Sequence, residues 1–284
     1  MKICVLLHLY YTEMLEEMLD VIANLSADEN VEYDLLVTLC REDEIITRQL
    51  YAFKDNTKIL YVPNRGYDIA PFLTAIKTID LQKYDYIIKL HSKRTLTSPA
   101  YLPTCCLKGD EWRHKLVEFM ASPRHFKQTL KCFAKHPEVG MLTAPELIIT
   151  AGKEDKVATT KATEIIRQMG LNLKEKKFVA GTMFMARAKL FKLWQMLPYE
   201  AQDFEEFDPN HKGGTLAHAL ERVLGMMIYA QGFQISAYNN KKVTPKLKAS
   251  LYKLKNFLFY KRVNSKNKLH VKICKIPVYS KKVG

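Results

Sequence analysis

Residues 58–94 read KILYV-PNRGYD-IAPFLTAIKTI-DLQK-YDYIIKL-HSKR, with hyphens where the pattern changes. The two short apolar runs, at 58–62 and 84–90, are typical of strands buried on both faces of a sheet. The stretch 69–79 between them has apolar residues at helical spacing and predicts a helix. Strand, helix and strand in such close succession predict two parallel strands joined by a crossover helix.

The same alternation precedes this stretch. Residues 2–10 and 33–40 are apolar runs with strand character, and helical patterns follow them at 13–25 and 42–53. The chain is therefore predicted to have an α/β fold with a mostly parallel sheet flanked by helices. Sheets of this class bind their ligands at the carboxyl ends of the strands.

After residue 90 the alternation weakens. The further predicted elements are two helical pieces in 111–133 broken near Pro123, strands at 139–142 and 178–186, and helices at 190–197 and 216–230, the last capped by Thr215. With no internal repeat and no evident linker, we expect one domain over 1–240 and a separate tail over 241–284.

The charge is concentrated in that tail. The chain has 44 Lys and Arg against 30 Asp and Glu, and residues 241–284 hold 14 of the basic residues and no acidic one. Residues 1–240 are therefore neutral overall. A neutral body argues against a nucleic-acid-binding domain, whose recognition surface is itself basic.

The tail predicts an amphipathic helix. Thr244 followed by Pro245 is a favoured helix start. Leucines then recur every three or four residues, at Leu247, Leu251, Leu254 and Leu258, and lysines flank them. Such a helix either packs on the body with its lysines in solvent or binds an anionic membrane surface. The absence of acidic residues favours the membrane.

Other sequence features limit the class of protein. No window approaches the roughly 20 apolar residues that span a bilayer. The apolar run at 3–11 lacks a signal-peptide cleavage site, so we expect it to be the first strand. The six cysteines form no Cys-x-x-Cys pair, which argues against a zinc site and favours a reducing cytoplasm.

The turn at 62–73 is the first candidate site. Asn64 and Gly66 favour a tight turn after a strand, and Asp68 lies where the following helix begins. One interpretation is that the Asp68 carboxylate caps the helix. The other is that Gly66 lets a nucleotide approach the backbone while Asp68 binds a ribose or sugar hydroxyl.

The second candidate site follows the fourth strand, where His91, Lys93 and Arg94 reach the carboxyl edge of the sheet. The two basic residues suit an anion, since Arg offers a planar fork for phosphate oxygens and Lys a point charge. The alternative is a solvated charge cluster. His8 and Tyr10, at the end of the first strand, either border a ligand or belong to the core.

Five stretches together resemble the rhamnan synthesis F family, bacterial glycosyltransferases of surface-polysaccharide assembly. They are Asn64–Phe72, Lys89–Lys93, Trp112–Arg113, Ala180–Phe184 and His218–Gly225. The resemblance runs over about residues 1–240 and implies a Rossmann-like, glycosyltransferase-A-type fold. The basic tail that follows is predicted separately to be helical. It also implies that Thr38 and the turn from Asn64 through Arg65 and Gly66 to Asp68 lie against the nucleotide of a sugar donor.

The chain departs from that fold family at one point. Glycosyltransferase-A enzymes usually carry Asp-x-Asp after the fourth strand to hold a metal, and this chain has His91-Ser92-Lys93. That triplet lacks the oxygen ligands that Mg²⁺ or Mn²⁺ prefers. We therefore expect metal-independent transfer, with Lys93 and Arg94 neutralising the leaving diphosphate, although the residues leave Mg²⁺ or Mn²⁺ open.

Inverting glycosyl transfer needs a carboxylate as general base. On the helix starting at 216, Glu221 is the first candidate, on the side opposite the apolar face, and Asp208 in the preceding polar loop is the second. The alternative for Glu221 is an exposed residue paired with basic neighbours. The Gly213-Gly214 pair favours a mobile lid before the helix.

These observations predict a glycosyltransferase that uses a nucleotide diphosphate sugar, with dTDP-rhamnose or UDP-galactofuranose suggested by the resemblance. The expected acceptor is lipid-linked or a growing surface polysaccharide such as O-antigen, and the expected location is the cytoplasmic face of the plasma membrane. The rival interpretation is a non-catalytic, membrane-associated scaffold or carbohydrate-binding protein. Nucleic acid is not an expected partner.

Overall fold

The structure is a computed structural model that describes residues 1–97, 99–152, 155–206, 213–239, 259–263, 268–273 and 276–282. The strands are β1 (Lys2–His8), β2 (Glu32–Leu39), β3 (Lys58–Tyr61), β4 (Tyr86–His91), β5 (Ala100–Tyr101), β6 (Cys106–Leu107), β7 (Val139–Thr143), β8 (Ile148–Thr150), β9 (Lys177–Val179), β10 (Phe184–Arg187), β11 (Gln234–Ala237), β12 (Phe259–Val263), β13 (Lys268–Ile273) and β14 (Ile276–Lys282). The α-helices are α1 (Leu15–Ala23), α2 (Glu44–Phe53), α3 (Ile69–Lys77), α4 (Glu111–Leu116), α5 (Pro123–Lys135), α6 (Lys156–Gln168), α7 (Lys192–Gln195) and α8 (Leu216–Ala230).

The central sheet has seven strands in the order β3-β2-β1-β4-β10-β7-β11. The first four are parallel, as the alternation in residues 1–90 predicts. β10 runs antiparallel to both β4 and β7, and β11 is parallel to β7. The predicted α/β class, a mostly parallel sheet flanked by helices, is confirmed.

The register of the parallel strands brings their carboxyl ends together. In the sheet, His8 at the end of β1 lies opposite Thr38 of β2 and His91 of β4. The apolar residues of β1 are buried on both faces, as expected of an interior strand, and β1 lies between β2 and β4. Polar side chains at three neighbouring strand ends therefore share one edge.

The prediction of one strand over 178–186 is wrong. The structure has β9, which pairs with β8 outside the central sheet, and β10 within it. Between them Gly181 has φ of +76° and Thr182 of +51°, a left-handed turn that ends the first strand. A Cβ at Gly181 would lie 2.4 Å from Leu116 Cδ2, so packing as well as backbone angle favours glycine there.

The predicted helix over 216–230 is confirmed as α8, but its expected polar side is not exposed. Arg222 is only 9% exposed, and Gly225 packs against the backbone of β9. That side also contacts α6, a helix that the sequence analysis does not predict. Helix α8 is therefore buried nearly all round, which places its polar residues against other parts of the protein.

The tail differs from its prediction where it is described. Strands β12, β13 and β14 form an antiparallel sheet in a region expected to be helical or unassigned. The predicted amphipathic helix at 244–258 lies outside the described residues. Among the residues that are described, no helix has the length and apolar character needed to cross a bilayer.

The close contact of Gly225 gives a stability prediction. A Cβ there would lie 2.4 Å from Phe178 Cα and 2.5 Å from Lys177 O, both backbone atoms. Helix propensity alone favours Ala over Gly by about 1 kcal/mol. We nevertheless expect Gly225→Ala to lower the free energy of unfolding by about 1–3 kcal/mol, because the strand must move. Urea denaturation measures the change.

Gly152→Ala is the matched control, because the nearest atom to its new Cβ is 3.9 Å away. We expect its effect to stay within about 0.5 kcal/mol. A Gly225→Ala protein as stable as the original, or more stable, would show that α8 does not pack on β9 in this way.

Candidate active site

The Asp68 carboxylate is the centre of the site. Asp68 is the residue before α3, but its side chain makes no hydrogen bond to the amides of that helix. The capping interpretation is therefore wrong. Asp68 Oδ2 instead accepts hydrogen bonds from Lys89 Nζ and Thr182 Oγ1, both at 2.5 Å. These contacts join the turn after β3 to β4 and to the turn before β10.

Lys89 is the counter-charge of Asp68. It lies within β4 with 1% of its surface exposed, and its ammonium group also donates to Thr182 Oγ1 at 2.8 Å. Burial lowers the pKa of Lys89, and the Asp68 charge opposes that shift. Burial alone would raise the pKa of Asp68. The positive charge that His91 gains at low pH, the Lys89 charge and the hydrogen bonds from Lys89 and Thr182 outweigh burial, so that pKa is lowered.

Two buried histidines lie at the neighbouring strand ends. Burial lowers the pKa of His8 to about 4 and that of His91 to about 3, so both rings are neutral at neutral pH. His8 Nδ1 lies 2.9 Å from Thr38 Oγ1, and His91 Nδ1 lies 3.6 Å from Asp68 Oδ2. The edge of the sheet is therefore polar without carrying histidine charge.

Glu221 approaches the same site from α8. Its carboxylate accepts the Gly181 N–H at 3.3 Å, so the left-handed turn at 181–182 holds both Glu221 and Asp68. Burial raises the pKa of Glu221 to about 7, although Arg222 at 3.6 Å opposes the shift. The carboxylate is thus a group that exchanges a proton near neutral pH, as a general base must. The alternative interpretation is met in part, because Glu221 lies beside Arg222, but its side chain is only 23% exposed.

A cleft with two lobes runs along this edge. The first lobe has a volume of about 90 Å³, and the residues that line this lobe alone are His8, Tyr10, Tyr11, Asn64 and Ser92. The second lobe has a volume of about 410 Å³. The residues that line this lobe alone are Ile69, Trp112, Ile149, Phe178, Ala180, Gly181, Thr182, Ala217, His218 and Glu221. Four residues line both lobes: Tyr67, Asp68, His91 and Lys93.

The structure brings together part of the predicted set. Asn64, Asp68, His91, Lys93 and Glu221 line the cleft. Two further predicted residues support it from behind. Thr38 is 2% exposed and contacts His8, and Gly66, with φ of +65°, packs so closely on Phe204 that a Cβ would lie 2.4 Å from that ring.

The two predicted arginines lie elsewhere. The Arg65 guanidinium donates to Phe204 O at 3.2 Å and pairs with Glu206 at 2.5 Å. Arg94 pairs with Glu13 and stacks on the Tyr11 ring, 4.4 Å from its centroid. Neither lines the cleft. Asp208, the second candidate base, lies outside the described residues.

Two site residues escaped the sequence analysis as functional groups, Lys89 and Thr182. A signal for Lys89 was present, because a lysine inside the apolar run YDYIIKL needs a buried partner. Thr182 gives no such signal, since its role depends on a left-handed backbone that the sequence pattern does not reveal.

The described residues of the cleft do not form a metal site. Within the described part of the chain, no group of three or more His, Cys, Asp or Glu side chains is placed to bind a metal ion. The Asp68 carboxylate already faces the Lys89 ammonium, which repels a second cation. The donor set that Mg²⁺ or Mn²⁺ prefers, several free oxygen ligands, is not met by these residues.

The sequence profile of rhamnan synthesis protein F matches residues 1–233. The chain belongs to the rhamnan synthesis F family. Two curated relatives, each an uncharacterized protein WxcX from a strain of Xanthomonas campestris pv. campestris, are 26% identical over 242 residues. That alignment covers 82% of this chain and 32% of each relative, so the chain spans about a third of their length.

Solved structures of low sequence identity also resemble this rhamnan synthesis F family chain. TarS residues 1–349 of S. aureus in complex with UDP is 14% identical, with a TM-score of 0.46, over 85% of this chain and 59% of that one. Core-mannan synthase A of Aspergillus fumigatus, in an Mn/GDP form, is 11% identical, with a TM-score of 0.42, over 86% and 79%.

The Asp68–Lys89 contact gives a second prediction. Asp68→Asn leaves a buried ammonium without its counter-charge, and we expect it to lower the free energy of unfolding by about 3–5 kcal/mol. Lys89→Met should cost less, since the Asp68 carboxylate is 21% exposed and keeps Thr182. In the double variant no charge is stranded, so we expect much of the loss to be recovered. Urea denaturation of the four proteins measures the coupling.

The exposed pair Glu44–Arg48 on α2 is the control, with side chains 88% and 80% exposed. The same cycle of Glu44→Gln and Arg48→Met should show a coupling below about 1 kcal/mol. If the losses of Asp68→Asn and Lys89→Met simply add in the double variant, the two groups do not form the ion pair described.

Proposed function

We propose that this chain is a glycosyltransferase that moves a sugar from a nucleoside diphosphate donor to a hydroxyl group of a glycan acceptor. The observation that carries the proposal is Glu221, a carboxylate with a pKa raised to about 7. It lines a cleft at the carboxyl ends of parallel strands, in a chain of the rhamnan synthesis F family. That edge is where α/β sheets bind nucleotides.

The two lobes suit the two ends of such a donor. The first lobe carries Tyr10 and Tyr11, whose rings provide stacking surfaces for a base. The second lobe is larger, contains Trp112 and Glu221, and suits a sugar with its acceptor. In the proposed complex the donor lies along the cleft with its diphosphate over the four shared residues.

The proposed donor is a nucleoside diphosphate rhamnose, such as dTDP-rhamnose. The family description supports this choice, because rhamnan is a polymer of rhamnose. UDP-galactofuranose is the alternative donor to be assayed beside it. The proposed acceptor is a lipid-linked or growing surface polysaccharide.

The proposed reaction is a single displacement with inversion. Glu221 accepts the proton of the acceptor hydroxyl, whose oxygen forms a bond to the anomeric carbon. The bond from that carbon to the diphosphate breaks, and its electron pair leaves with the diphosphate oxygen. The Gly181 N–H holds one Glu221 oxygen, which orients the carboxylate during proton transfer.

Glu221→Gln tests this assignment. We expect turnover to fall by about 10²–10⁴-fold while donor binding is kept, because the amide cannot accept the proton. In the original enzyme, kcat/KM should rise with pH up to about 7 and then level off, since the base acts when deprotonated. Glycosyl transfer from dTDP-rhamnose and UDP-galactofuranose is measured by nucleotide release. The pH range extends roughly two units on each side of the Glu221 pKa.

Stability gives an independent readout of the same group. The Glu221 pKa is about 7 in the folded protein, above the ordinary glutamate value of 4.5 expected in the unfolded chain, so the folded state binds more protons between these two pH values. The free energy of unfolding should therefore fall as pH rises through that window, and Glu221→Gln should remove this fall. Glu44→Gln on α2, 88% exposed, is the control for both assays.

Two results would contradict the proposal. A folded Glu221→Gln enzyme with unchanged turnover would exclude Glu221 as the base. An original protein that neither binds nor hydrolyses any nucleotide sugar would favour the non-catalytic scaffold or carbohydrate-binding alternative.

We also propose that the basic tail attaches the protein to the cytoplasmic face of the plasma membrane. The support is the charge distribution, with 14 basic and no acidic residues in 241–284. Each basic residue near an anionic surface contributes about 1 kcal/mol. Full-length protein should therefore sediment with anionic vesicles at low salt and be released by high salt.

Protein truncated after Asn240 should remain in the supernatant. Neutral vesicles are the control, since they lack the charge that the tail is proposed to meet. Equal sedimentation of full-length and truncated protein with anionic vesicles would overturn the proposal.

A further inference from the structure

The four residues shared by the two lobes form a bridge at the middle of the cleft. They are Tyr67, Asp68, His91 and Lys93. Any ligand that occupies both lobes passes over them. In a nucleoside diphosphate sugar, the part between the base and the sugar includes the diphosphate, which carries negative charge.

Among the four bridge residues, the charge of Asp68 is already compensated. Its carboxylate faces the Lys89 ammonium and accepts the Thr182 hydroxyl. His91 is neutral at neutral pH, because burial lowers its pKa to about 3. His8, beside it in the first lobe, is neutral for the same reason. These groups contribute no uncompensated charge to the bridge.

Lys93 is different. Within the described residues its ammonium group has no hydrogen-bond or ion-pair partner, although most cleft charges are paired. Arg94, the next residue, turns away to Glu13 and the Tyr11 ring. Arg222 on the α8 side pairs with Asp155 at 3.1 Å. The bridge therefore presents one unpaired cation, and it comes from β4.

The bridge does not offer what a divalent cation needs. Its one carboxylate, Asp68, is engaged by Lys89, and Glu221 is held by the Gly181 amide at 3.3 Å. Hard cations prefer several oxygen ligands, and a lysine ammonium in the same place repels them. An ammonium group does bind phosphate oxygens directly, as a point charge with three donors.

We propose that Lys93 binds the diphosphate of the donor directly and stabilises it as the leaving group, in the place where a divalent cation would otherwise act. This inference rests on the proposed glycosyltransferase function. As the bond between the anomeric carbon and the diphosphate oxygen breaks, the electron pair stays on that oxygen. The Lys93 ammonium donates a hydrogen bond to the diphosphate, so the diphosphate can leave without being protonated.

The test measures binding rather than turnover. Isothermal titration calorimetry is run with dTDP, UDP and inorganic pyrophosphate, each in EDTA and again in excess Mn²⁺ or Mg²⁺. We expect the original protein to bind dTDP or UDP in EDTA. Lys93→Met should weaken that binding about 10–100-fold, because a charge-assisted contact is lost, and should abolish detectable pyrophosphate binding.

Two further variants make the result specific. Lys93→Arg keeps a cation at the bridge and should restore most of the binding. Lys127→Met removes an exposed positive charge on α5, outside the cleft, and should bind like the original protein. Circular dichroism shows whether each variant is folded, and binding is compared only among folded variants.

The outcomes separate this inference from the proposed function. If the original protein binds the nucleoside diphosphates only when metal is added, or if Lys93→Met binds them as tightly as the original, the Lys93 role is overturned and the function stands. If the original protein binds neither nucleotide with or without metal, the proposed function fails, and the inference fails with it.

Discussion

The Lys89 side chain is buried within β4 between the apolar residues Ile88 and Leu90, and a charge in that position is stable only beside an opposite charge. Asp68 supplies it from the turn after β3, and Thr182 completes the contact from the turn before β10. The parallel half of the sheet ends at β4, and the antiparallel strand β10 pairs directly with it. The ion pair lies within the parallel half, and the Thr182 hydroxyl links it to the antiparallel half at the carboxyl edge.

The position of the general-base candidate depends on the same contact. Thr182 has a positive φ, which is unfavourable for a β-branched residue and persists only where its surroundings hold it. The hydroxyl contacts with Asp68 and Lys89 hold it, and the adjacent Gly181 amide then points at Glu221. A second connection runs from Arg65 to the backbone at Phe204, next to the segment that caps α8. The turn after β3 therefore positions α8 from two directions.

The sequence predicted the parallel half of the fold because each strand and helix in residues 1–90 has its own hydrophobic period. It missed α6, whose buried stripe is only two alanines and two isoleucines in a polar segment. It merged β9 with β10 because the left-handed turn between them is made of small residues. In the site, Lys93 and Glu221 were predictable from their places at a strand end and on a helix. The pairing of Arg94 with Glu13 was not, because it joins residues far apart in the chain.

Burial acts in opposite directions on the groups that line the cleft. It lowers the pKa of His8 and His91, which makes both bases neutral, and it raises the pKa of Glu221, which makes a carboxylate a proton acceptor near neutral pH. If the histidines were charged, they would add positive charge near the Lys89 ammonium. They would also lower the pKa of Glu221, which would make it a weaker base. The structure avoids that conflict, because its fixed positive charge at the bridge is a lysine, and the group that gains and loses a proton lies across the cleft on α8.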